Sequence, residues 1–266
     1  MCLLLVALKA DERFPLVLAA NRDEFYGRPA APAAWWDENP EILAGRDLQA
    51  GGTWLGLTRG GRVAALTNFR QPAMPRPDAR SRGALVAEFL ASAASAAEFA
   101  ERLSAEAELY NGFNLFFGDL DGGFYFFSNR TSRPPEPIAP GFHGLSNHLL
   151  DTPWPKVERG RRGLRTWLDS AEDPDPEELL ALLSDRTQPP DAELPDTGVG
   201  LELERVLAPM FLHTPMYGTR CSTVLIVDFQ RQARFIERSF GPEATWLGSR
   251  SYELRLAARR AGAPAG

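Results

Sequence analysis

Two cysteines, Cys2 and Cys221, in 266 residues are too few for a disulfide framework, so a reduced, cytoplasmic setting is expected. Long apolar runs are also missing. None approaches the ~18–20 residues that span a bilayer, and no integral membrane segment is expected. The apolar start, 3–8, is too short for a signal-peptide core and has no basic residue before it. Basic excess is absent too: 29 Lys and Arg against 35 Asp and Glu leave a net charge of −6, with no footprint for nucleic acid. Arg159, Arg161, Arg162 and Arg165 cluster at helical spacing, which reads as a solvated face. The three histidines, His143, His148 and His213, show no metal-ligand spacing, and no GxGxxG or GxxxxGK[ST] signature occurs. No metal and no required cofactor are expected.

What is present is alternation and punctuation. Residues 2–8 and 14–21 are apolar runs joined by Lys9-Ala10-Asp11-Glu12-Arg13, a hairpin whose strands are covered on both faces. Segments 53–58 and 62–67, then 113–118 and 123–128, then 222–229 and 234–238, predict three further hairpins around polar or glycine turns. Helix starts fall between them. Ser81 precedes an apolar-periodic run, Ser95 with Glu98 fits a capping box, and Thr152-Pro153 and Asp175-Pro176 each offer a cap followed by proline. Helices grouped between antiparallel pairs predict an α+β layered sandwich, not a βαβ doubly wound sheet. The short proline-rich stretches 133–140 and 188–195 read as surface loops. One domain over residues 1–260 is expected, with a frayed tail at 261–266.

Cys2 follows the initiator methionine and is small enough for aminopeptidase removal of Met1. A terminal cysteine carries a thiol and an α-amine of pKa about 7.7–8.0, which can accept the thiol proton without a separate histidine. A buried strand cysteine is the other reading of the same residue. Asn21-Arg22-Asp23-Glu24 closes the partner strand of that hairpin, level with the N-terminus. It can be a solvated turn. Equally, Arg22 can favour thiolate and Asp23 can hold the amine.

The start Met1-Cys2, Asn21-Arg22-Asp23-Glu24, Gly51-Gly52-Thr53-Trp54-Leu55-Gly56 and Thr67-Asn68-Phe69-Arg70 resemble the NRDE family, that of the eukaryotic transport and Golgi organisation protein. So do Tyr110-Asn111-Gly112-Phe113-Asn114-Leu115, Gly144-Leu145-Ser146-Asn147, Leu150-Asp151-Thr152-Pro153-Trp154-Pro155-Lys156 and Tyr217-Gly218-Thr219-Arg220. That family is similar to the cysteine-type N-terminal-nucleophile (Ntn) hydrolases, alongside bile salt hydrolases and penicillin V acylases. The resemblance implies a four-layer αββα sandwich of antiparallel sheets. It implies Cys2 as nucleophile, Asp23 as ligand of its α-amine and Arg22 as the arginine that activates the thiol. Those hydrolases separate their arginine and aspartate by two residues, whereas Arg22 and Asp23 are adjacent. Asn68 and Asn147 resemble the asparagines of the oxyanion site, and Arg220 resembles the late arginine.

Asn21, Glu24, Trp54, Phe69 and Arg70 are further candidates for ligand contact, and Trp35, Trp36 and Trp154 could join Trp54 and Phe69 around an apolar pocket. Two functions follow as expectations. One is hydrolysis or acyl transfer on a small amide or thioester with an apolar acyl group. The other is a non-catalytic carrier of haem or acyl-CoA, with Arg22, Arg70 and Arg220 pairing with propionates or phosphates. Haem would bind noncovalently, through one axial ligand such as a histidine.

Overall fold

The computed structural model describes residues 3–72, 76–170 and 172–257. Met1, Cys2 and the expected tail 261–266 lie outside them. One sheet is built from Leu3–Leu8 (β1), Leu16–Phe25 (β2), Gly141–Leu145 (β10), Tyr217–Val227 (β11), Gln232–Phe240 (β12) and Trp246–Arg255 (β13), in the order β10-β1-β2-β11-β12-β13. The other runs in simple sequence order through Ala30–Trp35 (β3), Ile42–Asp47 (β4), Leu55–Thr58 (β5), Arg62–Asn68 (β6), Phe113–Asp119 (β7), Gly123–Ser128 (β8) and Glu136–Pro137 (β9). Pairing between these strands is antiparallel throughout.

Helices Arg82–Ala91 (α1) and Ala96–Glu106 (α2) cover the second sheet, and Pro155–Ser170 (α3) and Pro176–Leu183 (α4) cover the first. A short helix, Leu201–Leu207 (α5), follows. Side chains alternate across a strand, and the core divides accordingly. From β1 and β2, Leu4, Val6, Leu8, Leu16, Leu18 and Ala20 meet Leu55, Leu57, Val63, Ala65 and Phe116 between the sheets. Their neighbours Leu3, Leu5, Ala7, Val17 and Ala19 pack instead under Val157, Leu164, Leu168, Leu179 and Leu183 of the helices. Each fully buried aliphatic side chain contributes about 1.5–3 kcal/mol, so strands apolar on both faces are what a middle layer requires. The α+β four-layer αββα sandwich expected from the sequence is what forms.

Two of the four helix-start signals form side-chain caps, whereas Ser81 precedes α1 without a side-chain cap bond. Ser95 Oγ accepts from Glu98 N at 3.2 Å while Glu98 Oε2 accepts from Ser95 N at 2.7 Å, and Asp175 Oδ1 accepts from Glu177 N at 2.9 Å. Thr152-Pro153 does not start a helix. The carbonyl of Trp154 accepts from Val157 N and Glu158 N instead, and α3 begins at Pro155. Strand β2 runs four residues beyond its expected end, which places Asn21-Arg22-Asp23-Glu24 inside the sheet and not in a turn.

Candidate functional site

The alternation of β2 splits that motif in two. Asn21 continues the helix-facing series: its Nδ2 donates to the carbonyls of Leu183 and Met210 at 2.8 and 2.9 Å, and its Oδ1 accepts from Ser222 Oγ at 2.7 Å. Asn21 is fully buried and ties β2 to the end of α4, so the structure does not bring it to the cleft described below. Asp23 lies on the same side, buried, with Oδ1 accepting from Thr219 Oγ1 at 2.6 Å. Thr219 Oγ1 in turn accepts from Leu212 N at 2.9 Å, which fixes the hydroxyl toward Asp23.

That contact depends on a bulge. β11 pairs Cys221 with Arg22 but Thr219 with Asp23, so Arg220 is the extra residue and the side-chain parity of β11 inverts there. Thr219 thereby faces Asp23 instead of following Cys221 into the inter-sheet core. Gly218 completes the approach, since a Cβ there would stand 2.2 Å from Tyr26 Oη and 2.7 Å from the Leu212 carbonyl.

Arg22 and Glu24 point the other way, into a cleft of about 450 Å³ also lined by Arg28, Asp47, Trp54, Asn68 and Arg82. Arg22 is 4% exposed, and its guanidinium carbon lies 4.2 Å over the Trp54 ring. Among the described residues its hydrogen bond is to Asp47 Oδ2 at 3.5 Å, an oxygen that Arg28 Nε grips at 2.7 Å. Burial alone would raise the Asp47 carboxyl, yet the bonds from Arg28 and Ala50 hold it below the usual carboxylate range. Arg82 Nη1 donates to the Gly112 carbonyl at 3.1 Å, and desolvation lowers its pKa from the ordinary guanidinium value. The charged lining comprises Arg22, Arg28, Arg80 and Arg82 against Glu24 and Asp47. Gly52 closes one wall: a Cβ there would lie 2.4 Å from the Gly83 carbonyl carbon, at the start of α1.

The other candidates are distributed unevenly. Asn68 reaches the cleft at the end of β6, and its carbonyl accepts from Asn147 Nδ2 at 2.8 Å, so the two asparagines are brought together. Arg220 uses Nη1 on the carbonyls of Phe25, Tyr26 and Arg28 at 2.9, 3.2 and 2.9 Å, holding the loop after β2. Arg70 is not a cleft cation. It forms a 2.5 Å ion pair with Glu204, both side chains under a tenth exposed, and lies 4.7 Å over Trp154. Phe69 packs on the His148 ring at 5.0 Å.

The expected aromatic pocket does not assemble. Trp36 donates to Ala44 within the α1–α2 core, Trp154 sits under α3, and Trp35 packs on Tyr252; of these aromatics only Trp54 lines the cleft. Sequence reasoning passed over Arg28, Asp47 and Arg82. Asp47 ends a strand it did not identify, and Arg82 was absorbed into the pattern of a helix start.

No helix among the described residues is long and apolar enough to cross a membrane, and no group of three or more His, Cys, Asp or Glu there could hold a metal. Comparison with solved structures finds a Caenorhabditis elegans N-acylethanolamine-hydrolyzing acid amidase ortholog at a TM-score of 0.51 and 12% identity, covering 85% of this chain and 92% of that one. The shared architecture is the Ntn-hydrolase fold. Among curated proteins, a Bos taurus transport and Golgi organization protein 2 homolog is 41% identical, over 91% of this chain and 93% of its own length. The Homo sapiens homolog is 37% identical over the same shares. The family model for transport and Golgi organisation 2 matches residues 1–242, and the chain belongs to that family.

Proposed function

We propose that this chain is an Ntn-type cysteine hydrolase or acyltransferase acting on a small amide or thioester. The observation that carries the reading is Arg22, a buried guanidinium whose hydrogen bond among the described residues is a long one to Asp47, close to the start of β1. β1 pairs Leu3 with Asn21, so the first described residue of the chain lies one position from Arg22 of β2. A Cys2 thiolate would answer the charge of Arg22, and Asp23, held by Thr219, would bind the α-amine.

In this reading the α-amine takes the thiol proton and the sulfur attacks the carbonyl carbon. Asn68 and Asn147 donate to the oxyanion, each such donor being worth about 3–4 kcal/mol. The protonated amine returns its proton to the leaving nitrogen or sulfur as the carbon–heteroatom bond breaks. Water or a second acceptor then releases the acyl group. Trp54 gives the acyl group an apolar wall.

A second reading, a carrier for acyl-CoA or haem, is favoured by the cationic lining of the cleft. Arg70 and Arg220 do not serve it, since neither lines the cleft, and Arg22, Arg28 and Arg82 take their place. Haem has less support. None of the three histidines lines the cleft, and His143 and His148 are bound to Asp151 and Thr152.

Intact mass before and after brief exposure to a thiol-directed acylating probe tests the enzyme reading. Loss of Met1 with a single adduct on Cys2, absent in Cys2→Ala, is expected. Retained Met1 without a fast adduct overturns the hydrolase mechanism and leaves the carrier.

A further inference from the structure

We propose that a second chamber, behind the Arg22–Trp54 stack and distinct from the cleft, binds a short aliphatic monocarboxylate. Arg22 and Trp54 line both cavities and form the wall between them. The chamber, about 220 Å³, opens at the flank of the sandwich where β3 crosses β12 and β13. That volume is below the usual range for drug-sized ligands, about 300–1,000 Å³, so its occupant is small.

Charge and hydrogen bonding name the occupant. The chamber carries Arg22, Arg220 and Arg250 against Glu237 alone. The two acids of the cleft, Glu24 and Asp47, do not line it. Both Trp54 Nε1 and Arg220 Nε are buried donors with no hydrogen-bond acceptor among the described residues. A buried donor without an acceptor is unfavourable, and Arg22 adds a buried guanidinium whose hydrogen bond among the described residues is 3.5 Å long. Three donor side chains around one cavity are answered by an acceptor-rich anion.

The planar guanidinium fork matches the two oxygens of a carboxylate. Glu237 does not oppose it: its oxygens accept from Ala33 N at 2.6 Å and Thr223 Oγ1 at 3.4 Å, and burial pushes its carboxyl toward the neutral form. Ala31, Pro32 and Leu247 at the mouth accept a short alkyl chain but no second charge.

The chamber stands on these contacts and needs no turnover, so the test is run in Cys2→Ala as well as wild type. Acetate, propionate and butyrate are titrated by calorimetry and NMR at constant ionic strength, with chloride and inorganic phosphate as comparison anions. Saturable butyrate binding, equal in both proteins, is expected. Trp54→Phe keeps a ring beneath Arg22 but removes a donor, and weakens binding about tenfold. Ala31→Trp fills the mouth and abolishes it. Should Trp54→Phe not fold, Arg250→Ala at the exposed rim weakens binding severalfold through charge alone. Absence of saturable binding, indifference to Trp54→Phe and Ala31→Trp, preference for phosphate, or loss of butyrate binding in Cys2→Ala each overturns the proposal.

Discussion

Replacing Arg70 by methionine separates a structural cation from a ligand-binding one. The Arg70–Glu204 pair is 2.5 Å long with side chains 8% and 3% exposed, so removing the guanidinium leaves a carboxylate in a low-dielectric site. Breaking a pair of this kind costs about 3–5 kcal/mol. Glu204 also accepts from Thr197 N at 2.9 Å and Thr197 Oγ1 at 2.5 Å, which places Arg70→Met near the lower end, about 3 kcal/mol. In Arg70→Met/Glu204→Leu no buried charge remains, and only the two Thr197 donors lose an acceptor. That protein should recover more than about 1 kcal/mol over the single variant. Urea unfolding at neutral pH, with the slope checked for constancy, reads both numbers. If Arg70→Met unfolds within about 1 kcal/mol of wild type while binding of an anionic acyl compound weakens, Arg70 is a ligand contact and the reasoning fails.

Two other substitutions test the scaffold around the cleft. Asn21→Leu leaves the carbonyls of Leu183 and Met210 and the hydroxyl of Ser222 unbonded, and should destabilise by about 3 kcal/mol without altering probe labelling of the folded fraction; slowed labelling at undiminished stability would contradict a structural role. The bond His143 Nδ1 makes to Asp151 Oδ2, at 2.7 Å, is the main reason His143 sits above its ordinary 6.5. A raised histidine stabilises fully below the unfolded value and loses its contribution as pH climbs through the folded one. Burial opposes ionisation of Asp151, but the bonds from His143 and Gly144 keep it below 3.8, so its share is lost only at acid pH. The stability difference between wild type and His143→Gln should therefore shrink from about pH 6.5 upward, and a constant difference to about pH 9 would count against the pair.

The layered fold was readable because its core strands are apolar on both faces and two of its helices, α2 and α4, begin with side-chain caps whose partners lie within three residues. What escaped were elements whose sequence carries no such pattern. β3 reads Ala-Ala-Pro-Ala-Ala-Trp, and Pro32 fits because β3 is the edge strand of its sheet among the described residues. β13 is largely exposed along its length and gives no alternating apolar signal, and α5 is seven residues with one buried side chain, Glu204. In the site, Arg22 and Glu24 were legible as motif residues, but their separation from Asn21 and Asp23 required knowing that β2 continues through Phe25. Thr219 needed still more: only the bulge at Arg220, a tertiary feature, turns it toward Asp23.

That division assigns opposite consequences to neighbouring residues. Asn21 is satisfied by its surroundings, so changing it costs stability. Arg22 is not satisfied among the described residues: buried at 4% exposure with one 3.5 Å bond there, its charge is held at the expense of the fold. Arg22→Leu keeps an aliphatic side chain beside Trp54 and removes the desolvated charge, and replacing buried charge by packed hydrophobe is often neutral or stabilising by about 1–4 kcal/mol. Against this stand the loss of the stacking on Trp54, worth about 1–2 kcal/mol, and of the weak bond to Asp47, which keeps Arg28. Arg22→Leu should thus unfold at an unchanged or higher urea concentration while Cys2 labelling and carboxylate binding both fall at least tenfold. An Arg22→Leu protein destabilised by more than about 2 kcal/mol would show the guanidinium to be a structural strut, and both functional readings of it would fall.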